Sequence, residues 1–216
     1  GRIKRVGEVI SGAIVKDADG NTLWTPGKLK HVKAIGWYIE EYGVTQVTMN
    51  ITNITETPLH LAFDETAKAA NARGIRATGS ELVGLVPKSA MLEAGKYFLR
   101  KQNRSTGIHE SELIKIAIKS MGLDELGPFI PEERIIEYML ESGTDKKLVD
   151  LSLTDFANET ASESPAPGGG SISAYAGALG ISLATMVANL SAHKRGWDER
   201  WEEFSDWADK GQILKD

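Results

Sequence analysis

The first stretch that could do chemistry is a proline and glycine run, from Ser164 to Ser171, that leads into a helix. Prolines stop the preceding structure, and the consecutive Gly168, Gly169 and Gly170 allow backbone angles that a Cβ would forbid. Several N–H groups can therefore converge where the next helix begins, with Ser171 as its expected N-cap. Free amides and the helix dipole suit a phosphate or carboxylate. A flexible interdomain linker that ends in a cap is the open alternative.

A second candidate is a basic cluster at the entry to the first predicted strand, formed by Lys28, Lys30, His31 and Lys33. Long cations at such an edge suit a carboxylate-rich ligand better than a neutral one. A solvated charged face is the alternative.

The histidines do not form a metal-binding pattern, because no two of them are spaced as i, i+4. A lone histidine is most often a surface or structural residue. The sequence also contains no G-x-S-x-G elbow, Walker loop or dinucleotide fingerprint. Ser80 and Glu81 could supply a base or a ligand hydrogen bond at a strand end, or simply form a strand-to-helix turn.

The composition is that of a globular protein with one large or two small domains: 216 residues, 41% hydrophobic and 25% charged. A net charge of −5, with both signs interspersed, argues against a nucleic-acid surface. The absence of cysteine excludes disulfides, thiolate metal sites and a thiol nucleophile, and we expect a cytoplasmic location. The start without Met and the Trp-rich end indicate a fragment of a longer protein.

Two β-rich runs, His31 to Ile39 and Val44 to Thr52, predict a hairpin. In the second run apolar residues alternate with Gln46, Thr48 and Asn50. One face is therefore apolar and the other uniformly polar, available to solvent, a partner or a ligand.

The flanking pattern predicts further elements of a first unit. They are a helix over Arg2 to Val15, a helix from Pro58 to Arg73, a strand over Ile75 to Val86, and helices from Pro87, over Glu110 to Met121 and over Pro131 to Glu141. This order has the shape of a ferredoxin-like α/β sandwich whose first strand lies before Gly1. Its open sheet face would also carry some of Arg76, Thr78 and Ser80.

The predicted linker is Ser142 to Lys147, which divides the chain into residues 1–142, a connection over 143–150, and residues 151–216. We expect residues 151–216 to begin with a short helix over Leu151 to Ser162. A longer helix of small residues, Ser171 to His193, predicts tight burial in a helical bundle or at a subunit interface. A membrane span is less favoured because polar residues recur along that helix. The fold class is thus α+β, a ferredoxin-like subdomain followed by the first helices of an all-α bundle.

Four separate stretches resemble glutamate formimidoyltransferase. They read KHVKAIGWY at 30–38, QVTMN at 46–50, GSELVGLVP at 79–87 and PEERIIEY at 131–138. The segment from Pro165 to Ala174 resembles the opening of formimidoyltetrahydrofolate cyclodeaminase, which is fused to the transferase in bifunctional formiminotransferase-cyclodeaminases. The resemblance spans nearly the whole chain, and its motifs follow the order of the family.

The resemblance implies an enzyme of histidine degradation. It would transfer the formimino group of N-formimino-L-glutamate to tetrahydrofolate and close the product to 5,10-methenyltetrahydrofolate with loss of ammonia. The family's catalytic histidine belongs to an earlier subdomain, and the cyclodeaminase's catalytic aspartate is expected beyond Asp216, so no catalytic residue is expected here. Positioned acids and bases suffice for these proton transfers, and no metal is expected.

The resemblance also implies which residues bind tetrahydrofolate, a co-substrate with a pterin and one or more glutamate carboxylates. The candidates from the polar sheet face and its surroundings are Gln46, Thr48, Asn50, Ser80, Glu81 and Trp37. The candidate cations for the carboxylates are Lys28, Lys30, Lys33 and Arg76. The candidate cyclodeaminase folate loop is Gly168, Gly169, Gly170 and Ser171.

Other functions stay open. The chain could be a non-catalytic ferredoxin-like ligand-binding module with a helical oligomerisation arm, or the natural protein could retain one activity only. The family leads us to expect a homo-oligomer through the helical domain, with no nucleic-acid or membrane partner.

Overall fold

The computed structural model describes residues 1–8, 10–141 and 148–216. The chain forms two compact units, Gly1–Gly74 and Ile75–Asp216, and contains both helices and strands, as the α+β class requires. The predicted linker, Ser142 to Lys147, lies outside the described residues.

The first unit begins with short antiparallel pairings. They are β1 (Arg2–Ile3) with β4 (Trp24–Thr25), and β2 (Arg5–Val6) with β3 (Ala13–Ile14). The predicted helix over Arg2 to Val15 is therefore wrong, and its Val9 lies outside the described residues. Gly7 has a φ of 78°, which a right-handed helix cannot accommodate. Backbone hydrogen bonds run across the pairings instead, with the Lys4 N–H donating to the Leu23 carbonyl.

The predicted hairpin is confirmed as β5 (Val32–Ile39) and β6 (Val44–Ile51), which pair antiparallel along their whole length. The helix predicted after Pro58 is confirmed as α1 (Leu59–Asn71). It starts there because proline has a fixed φ that suits the beginning of a helix. Thr66 of α1 contacts the Met49 sulfur through its hydroxyl at 3.8 Å. Since side chains alternate along a strand, the α1 contact falls on the face opposite Thr48.

The second unit begins with an irregular segment where a strand was predicted over Ile75 to Val86, so that prediction is wrong. The segment bonds to helix ends and loops: the Ser80 N–H donates to the Gly122 carbonyl and the Val86 N–H to the Arg134 carbonyl. Gly84, with a φ of 91°, interrupts the extended conformation.

Helices α2 (Lys88–Lys101) and α3 (Glu110–Met121) form the core of the second unit. Met91, Ala94, Ile114 and Ala117 are buried between them. Gly95 lies so close to Leu113 that a Cβ would overlap its backbone. The α3 helix ends at Gly122, whose left-handed φ of 58° makes it a glycine C-cap.

The predicted helix over Pro131 to Glu141 is divided into α4 (Pro131–Arg134) and α5 (Ile136–Glu141). Ile135 between them is extended and fully buried, and it forms a parallel bridge with Val86. The bridge is made by the neighbours of Ile135, since the Arg134 carbonyl accepts the Val86 N–H and the Ile136 N–H donates to the Val86 carbonyl. Ile135 itself keeps its helical bonds to Pro131 and Met139, and the helix is divided by its extended ψ of 122°.

The remaining helices are α6 (Leu153–Thr160), α7 (Gly169–Ala192) and α8 (Trp201–Lys215). Ser152 caps α6 by accepting the Asp155 N–H, within the range predicted for that helix. Helices α7 and α8 cross closely, since a Cβ on Gly211 would overlap Thr185. A short 3₁₀ turn, Asp198–Arg200, precedes α8, and the Trp197 ring stacks on Phe204 at 5.2 Å.

Within this chain, burial of α7 is limited to part of one side, so its predicted burial at a subunit interface stays a prediction. Its buried residues are Thr185, Ala188 and Ala192, whereas apolar side chains such as Leu183 and Leu190 are exposed. By length and composition α7 could also cross a membrane, with a mean hydropathy of 1.5. A helix that packs within a soluble helical domain can have the same composition, so the non-membrane expectation stays a prediction.

Candidate functional site

The β5–β6 register places the predicted polar residues in one row. Three directly opposed pairs share a face: Trp37 with Gln46, Ile35 with Thr48, and Lys33 with Asn50. This row, which we call the hairpin platform, combines an aromatic ring, two amides, a hydroxyl and an ammonium group. The polar residues of β6 therefore lie beside a row of β5 that contains both polar and apolar side chains.

A hydrogen-bond relay orders one end of the hairpin platform. The Trp37 indole N–H donates to the Thr48 hydroxyl at 2.8 Å, and Thr48 donates to the Gln46 side-chain oxygen at 3.0 Å. Because Thr48 has a single proton, the two bonds fix its donor and acceptor roles. The Gln46 oxygen is engaged, so its NH₂ group is the part of the amide available to a ligand.

The hairpin platform is open to solvent. The side chains of Ile35 and Trp37 are 66% and 53% exposed, although both are large and apolar. A planar ring beside hydrogen-bonding amides is the kind of surface that holds a flat heteroaromatic ligand.

The predicted cations differ in their local partners. The Lys28 ammonium forms an ion pair with Glu65 at 3.2 Å, and Lys33 lies opposite Asn50 on the hairpin platform. The backbone carbonyl of Lys30 accepts the buried Thr57 hydroxyl at 2.6 Å, which ties the entry of β5 to the start of α1. Hydrogen bonds from Lys68 and then Lys28 lower the pKa of Glu65 below its usual range.

Three predicted site residues, Arg76, Ser80 and Glu81, belong to the second unit. The Ser80 hydroxyl donates to the Met121 carbonyl at 2.7 Å, so it fastens the irregular segment to the end of α3. Arg76 and Glu81 are exposed. Their role in folate binding stays a prediction.

The glycine loop meets α7 one turn earlier than predicted. Gly168, not Ser171, occupies the N-cap position, because the Gly168 carbonyl accepts the Ile172 N–H at 3.1 Å. Gly169, Gly170 and Ser171 form the first helical turn, and no side chain caps it within the described chain. The first backbone N–H groups of α7 therefore have no side-chain cap among the described residues, as the anion-site hypothesis requires.

One of the histidines, His109, has a structural role. His109 caps α3, since its ring nitrogen accepts the Ser111 N–H at 3.3 Å. No group of three or more metal-ligating side chains occurs in residues 1–8, 10–141 and 148–216.

Sequence reasoning missed two features. The side-chain hydrogen bond from Trp37 to Thr48 depends on hairpin register, which the turn residues Glu40 to Gly43 and the strand lengths could have indicated. A buried polar cluster around Thr106 was also missed, because its members lie about 100 residues apart and follow no local motif.

Two family models match successive parts of the chain. Residues 4–141 match the family described as Formiminotransferase domain, and residues 152–216 match the family described as Formiminotransferase-cyclodeaminase. The resemblance drawn from the four motifs and the glycine loop is thereby confirmed.

Individual relatives have names close to these family descriptions. The formimidoyltransferase-cyclodeaminase of Gallus gallus is 43% identical over 175 residues, covering 81% of this chain and 32% of the relative. The Mus musculus protein of that name is 41% identical over 174 residues, covering 80% and 32%. The glutamate formimidoyltransferase of Thermoplasma acidophilum is 33% identical over 92 residues, covering 42% and 30%.

The chain spans about a third of the length of these curated relatives. The match to the formiminotransferase domain nevertheless covers more than half of the residues of this chain. The chain therefore belongs to the formiminotransferase domain family.

Proposed function

We propose that this chain is part of a folate-dependent enzyme that transfers the formimino group from N-formimino-L-glutamate to tetrahydrofolate and then cyclodeaminates the product. The observation that carries the proposal is the succession of two family matches, residues 4–141 and 152–216, in one chain. The first reaction forms a bond from folate N5 to the formimino carbon and breaks the bond to the glutamate nitrogen. The second forms the N10 bond and releases ammonia, giving 5,10-methenyltetrahydrofolate.

We infer that the hairpin platform contributes to folate binding in the transferase. The exposed Trp37 ring supplies a stacking surface for the pterin, and the Gln46 NH₂ group and Asn50 supply hydrogen bonds to its edge. Lys33 supplies a cation for a glutamate carboxylate, which an ammonium group binds as a point charge. The relay through Thr48 would hold Trp37 and Gln46 in place before folate arrives.

Folate contact by the glycine loop is a separate part of the proposal. The N-terminal amides of α7 follow Gly168 without a side-chain cap in the described structure and would suit a carboxylate of the ligand. Lys28, Lys30, Arg76, Ser80 and Glu81 complete the proposed folate contacts.

We further propose that the longer protein completes a ferredoxin-like sandwich and a helical bundle in the cytoplasm, with homo-oligomerisation through the bundle. The sandwich is supported by the β5–β6 hairpin and by the contact of Thr66 on α1 with Met49 of β6. The oligomer is supported by exposed apolar side chains on α7, such as Leu183 and Val187. Such a surface equally suits the alternative, a non-catalytic binding module with an oligomerisation arm.

The decisive assay supplies the longer natural protein with N-formimino-L-glutamate and tetrahydrofolate and follows glutamate release and methenyltetrahydrofolate formation separately. Both products are expected. Glutamate without the methenyl product would leave a transferase with an inactive second domain, and neither product would leave the binding-module alternative.

Substitutions on the hairpin platform test its role in the same protein. Gln46→Ala and Asn50→Ala should weaken tetrahydrofolate binding, measured by calorimetry, and Trp37→Ala should weaken it more than Trp37→Phe, which keeps a ring. Thr45→Ala, on the opposite face of β6, is the matched control. Unchanged affinity in all three alanine variants would remove the platform from the folate site.

A further inference from the structure

The loop between α2 and α3 is buried although its residues are polar. Ser105 and Thr106 are 2% and 1% exposed, and the next residue, Gly107, is buried too. Connecting loops ordinarily lie on the surface, and small polar residues are mostly exposed. These three residues, which we call the 105–107 loop, are covered by α7 and α8.

Thr106 makes a fully determined set of hydrogen bonds with α8. Its hydroxyl donates to the Asp209 carboxylate at 2.7 Å, and its N–H donates to the Ser205 hydroxyl at 3.0 Å. Since a carboxylate only accepts, the single Thr106 proton belongs to Asp209. The Ser205 hydroxyl, 3.3 Å from the Thr106 hydroxyl, must therefore donate to it.

The other two residues of the 105–107 loop bind α7 as well. The Ser105 hydroxyl donates to the Asn189 side-chain oxygen at 2.5 Å, and the Asn189 NH₂ group donates to the Gly107 carbonyl at 2.7 Å. The same carbonyl accepts the Gln212 NH₂ group of α8 at 3.2 Å. One short loop thus satisfies side chains from both helices at their crossing.

Close packing and charge complete the contact. A Cβ on Gly107 would overlap the backbone and side chain of Ala208, which is fully buried, so only glycine fits the observed approach. The Lys96 ammonium of α2 forms an ion pair with Asp209 at 3.0 Å. Asp209 therefore receives a charged donor, Lys96, on one carboxylate oxygen and a neutral donor, Thr106, on the other.

This contact joins the two family segments. The 105–107 loop lies in the part matched to the formiminotransferase domain, whereas α7 and α8 lie in the part matched to formiminotransferase-cyclodeaminase. We propose that the 105–107 loop of the first segment is a docking site for helices α7 and α8 of the second segment. When the loop is docked, it holds the two helices in their observed arrangement and protects their backbone amides from hydrogen exchange. The proposal rests on this contact alone and not on folate chemistry.

Polar contacts of this kind fix one register. Sliding α8 by one residue would leave the buried Thr106 and Ser205 hydroxyls without partners, and unpaired buried polar groups are costly. An apolar contact would tolerate such a shift more easily because it has no directional bonds.

Hydrogen exchange of the 216-residue chain, followed by mass spectrometry, tests the docking. Gly107→Ala should speed exchange in α7 and α8 by about tenfold or more, as expected when a packed element gains a local opening. Gly127→Ala is the matched control, since a Cβ there meets no atom within 4 Å and its exchange should equal that of the original chain.

If Gly107→Ala fails to fold, the same hydrogen-exchange measurement on Thr106→Val tests the docking, with Thr160→Val as its control. The Thr160 hydroxyl bonds only to Phe156 of its own helix among the described contacts. Faster exchange confined to α7, α8 and the 105–107 loop supports docking. Unchanged exchange in α7 and α8, or an equal rise across α2 and α3, overturns it.

Discussion

Two threonine relays in this protein use the same chemistry in opposite environments. Thr48 accepts a hydrogen bond from Trp37 and donates one to Gln46 on the exposed hairpin platform. Thr106 accepts one from Ser205 and donates one to Asp209 at a site where it is 1% exposed. The Thr106 relay ends on a carboxylate and the Thr48 relay on a neutral amide, and the two relays also differ in their access to water.

Access to water decides what each relay can do. Exposed groups exchange a lost partner for water, so the Thr48 relay contributes little to stability and keeps its polar atoms available to a ligand. Buried groups have no such replacement, so loss of one member of the Thr106 relay leaves another unpaired. The first relay suits binding, and the second suits fixing one helix arrangement.

The largest expected effect is that of Asp209→Ala. It removes the acceptor of both Thr106 and Lys96, and should lower the free energy of unfolding by about 2–3 kcal/mol, an estimate for a buried hydroxyl left unpaired plus a partly exposed ion pair. Urea unfolding followed by circular dichroism measures it. Asp206→Ala, an exposed position on the same helix, should change stability by less than about 0.5 kcal/mol. Equal effects at the two positions would contradict the buried relay.

A valine at each relay threonine compares the two directly. Thr106→Val should cost about 1–2 kcal/mol because Asp209 and Ser205 lose a partner, whereas Thr48→Val should stay within about 0.5 kcal/mol. Valine has nearly the shape of threonine, so the comparison isolates the hydroxyl. Similar losses in urea unfolding would show that burial does not separate the relays.

A smaller effect concerns the pH response of His193, near the end of α7. Burial, and then the positive charge of Arg104, lower the pKa of its imidazole below 6.5. A lowered folded-state pKa means that the contribution of His193 to stability is present above pH 6.5 and is lost as pH falls through the folded value. An NMR titration should give a midpoint below 6.5, and Arg104→Ala should raise it only in part. A midpoint at or above 6.5 would contradict this assignment.

The smallest effect is expected at the half-buried carboxylate Glu65 in the first unit. Its pKa is lowered by Lys68 and then by Lys28, so its favourable interactions are present above pH 4.5 and are lost as pH falls through the folded value. In a carboxyl NMR titration, Lys68→Ala should move the midpoint back towards 4.5 more than Lys28→Ala does. Salt should reduce both differences because the two lysine side chains are exposed. The reverse order of the two variants would contradict the assigned causes.

Local patterns in the sequence determined the β5–β6 hairpin, α1, α2 and α3. Alternation over Val44 to Thr52 set the polar face, while proline starts and i, i+4 stripes set the helices. These signals act within a few residues, where backbone geometry dictates which side chains share a face. The sequence motifs also identified the family, later matched over residues 4–141.

Only tertiary structure decided the segments whose hydrogen bonds go elsewhere in the chain. The first residues form short pairings instead of a helix, and residues 75–86 bond to the ends of α3 and α4 instead of forming a strand. Ile135, whose neighbours bond to Val86, divides a predicted helix through its extended ψ. Thr106 meets Asp209 across 103 positions, a pairing that depends on the packing of whole helices and that no local pattern encodes.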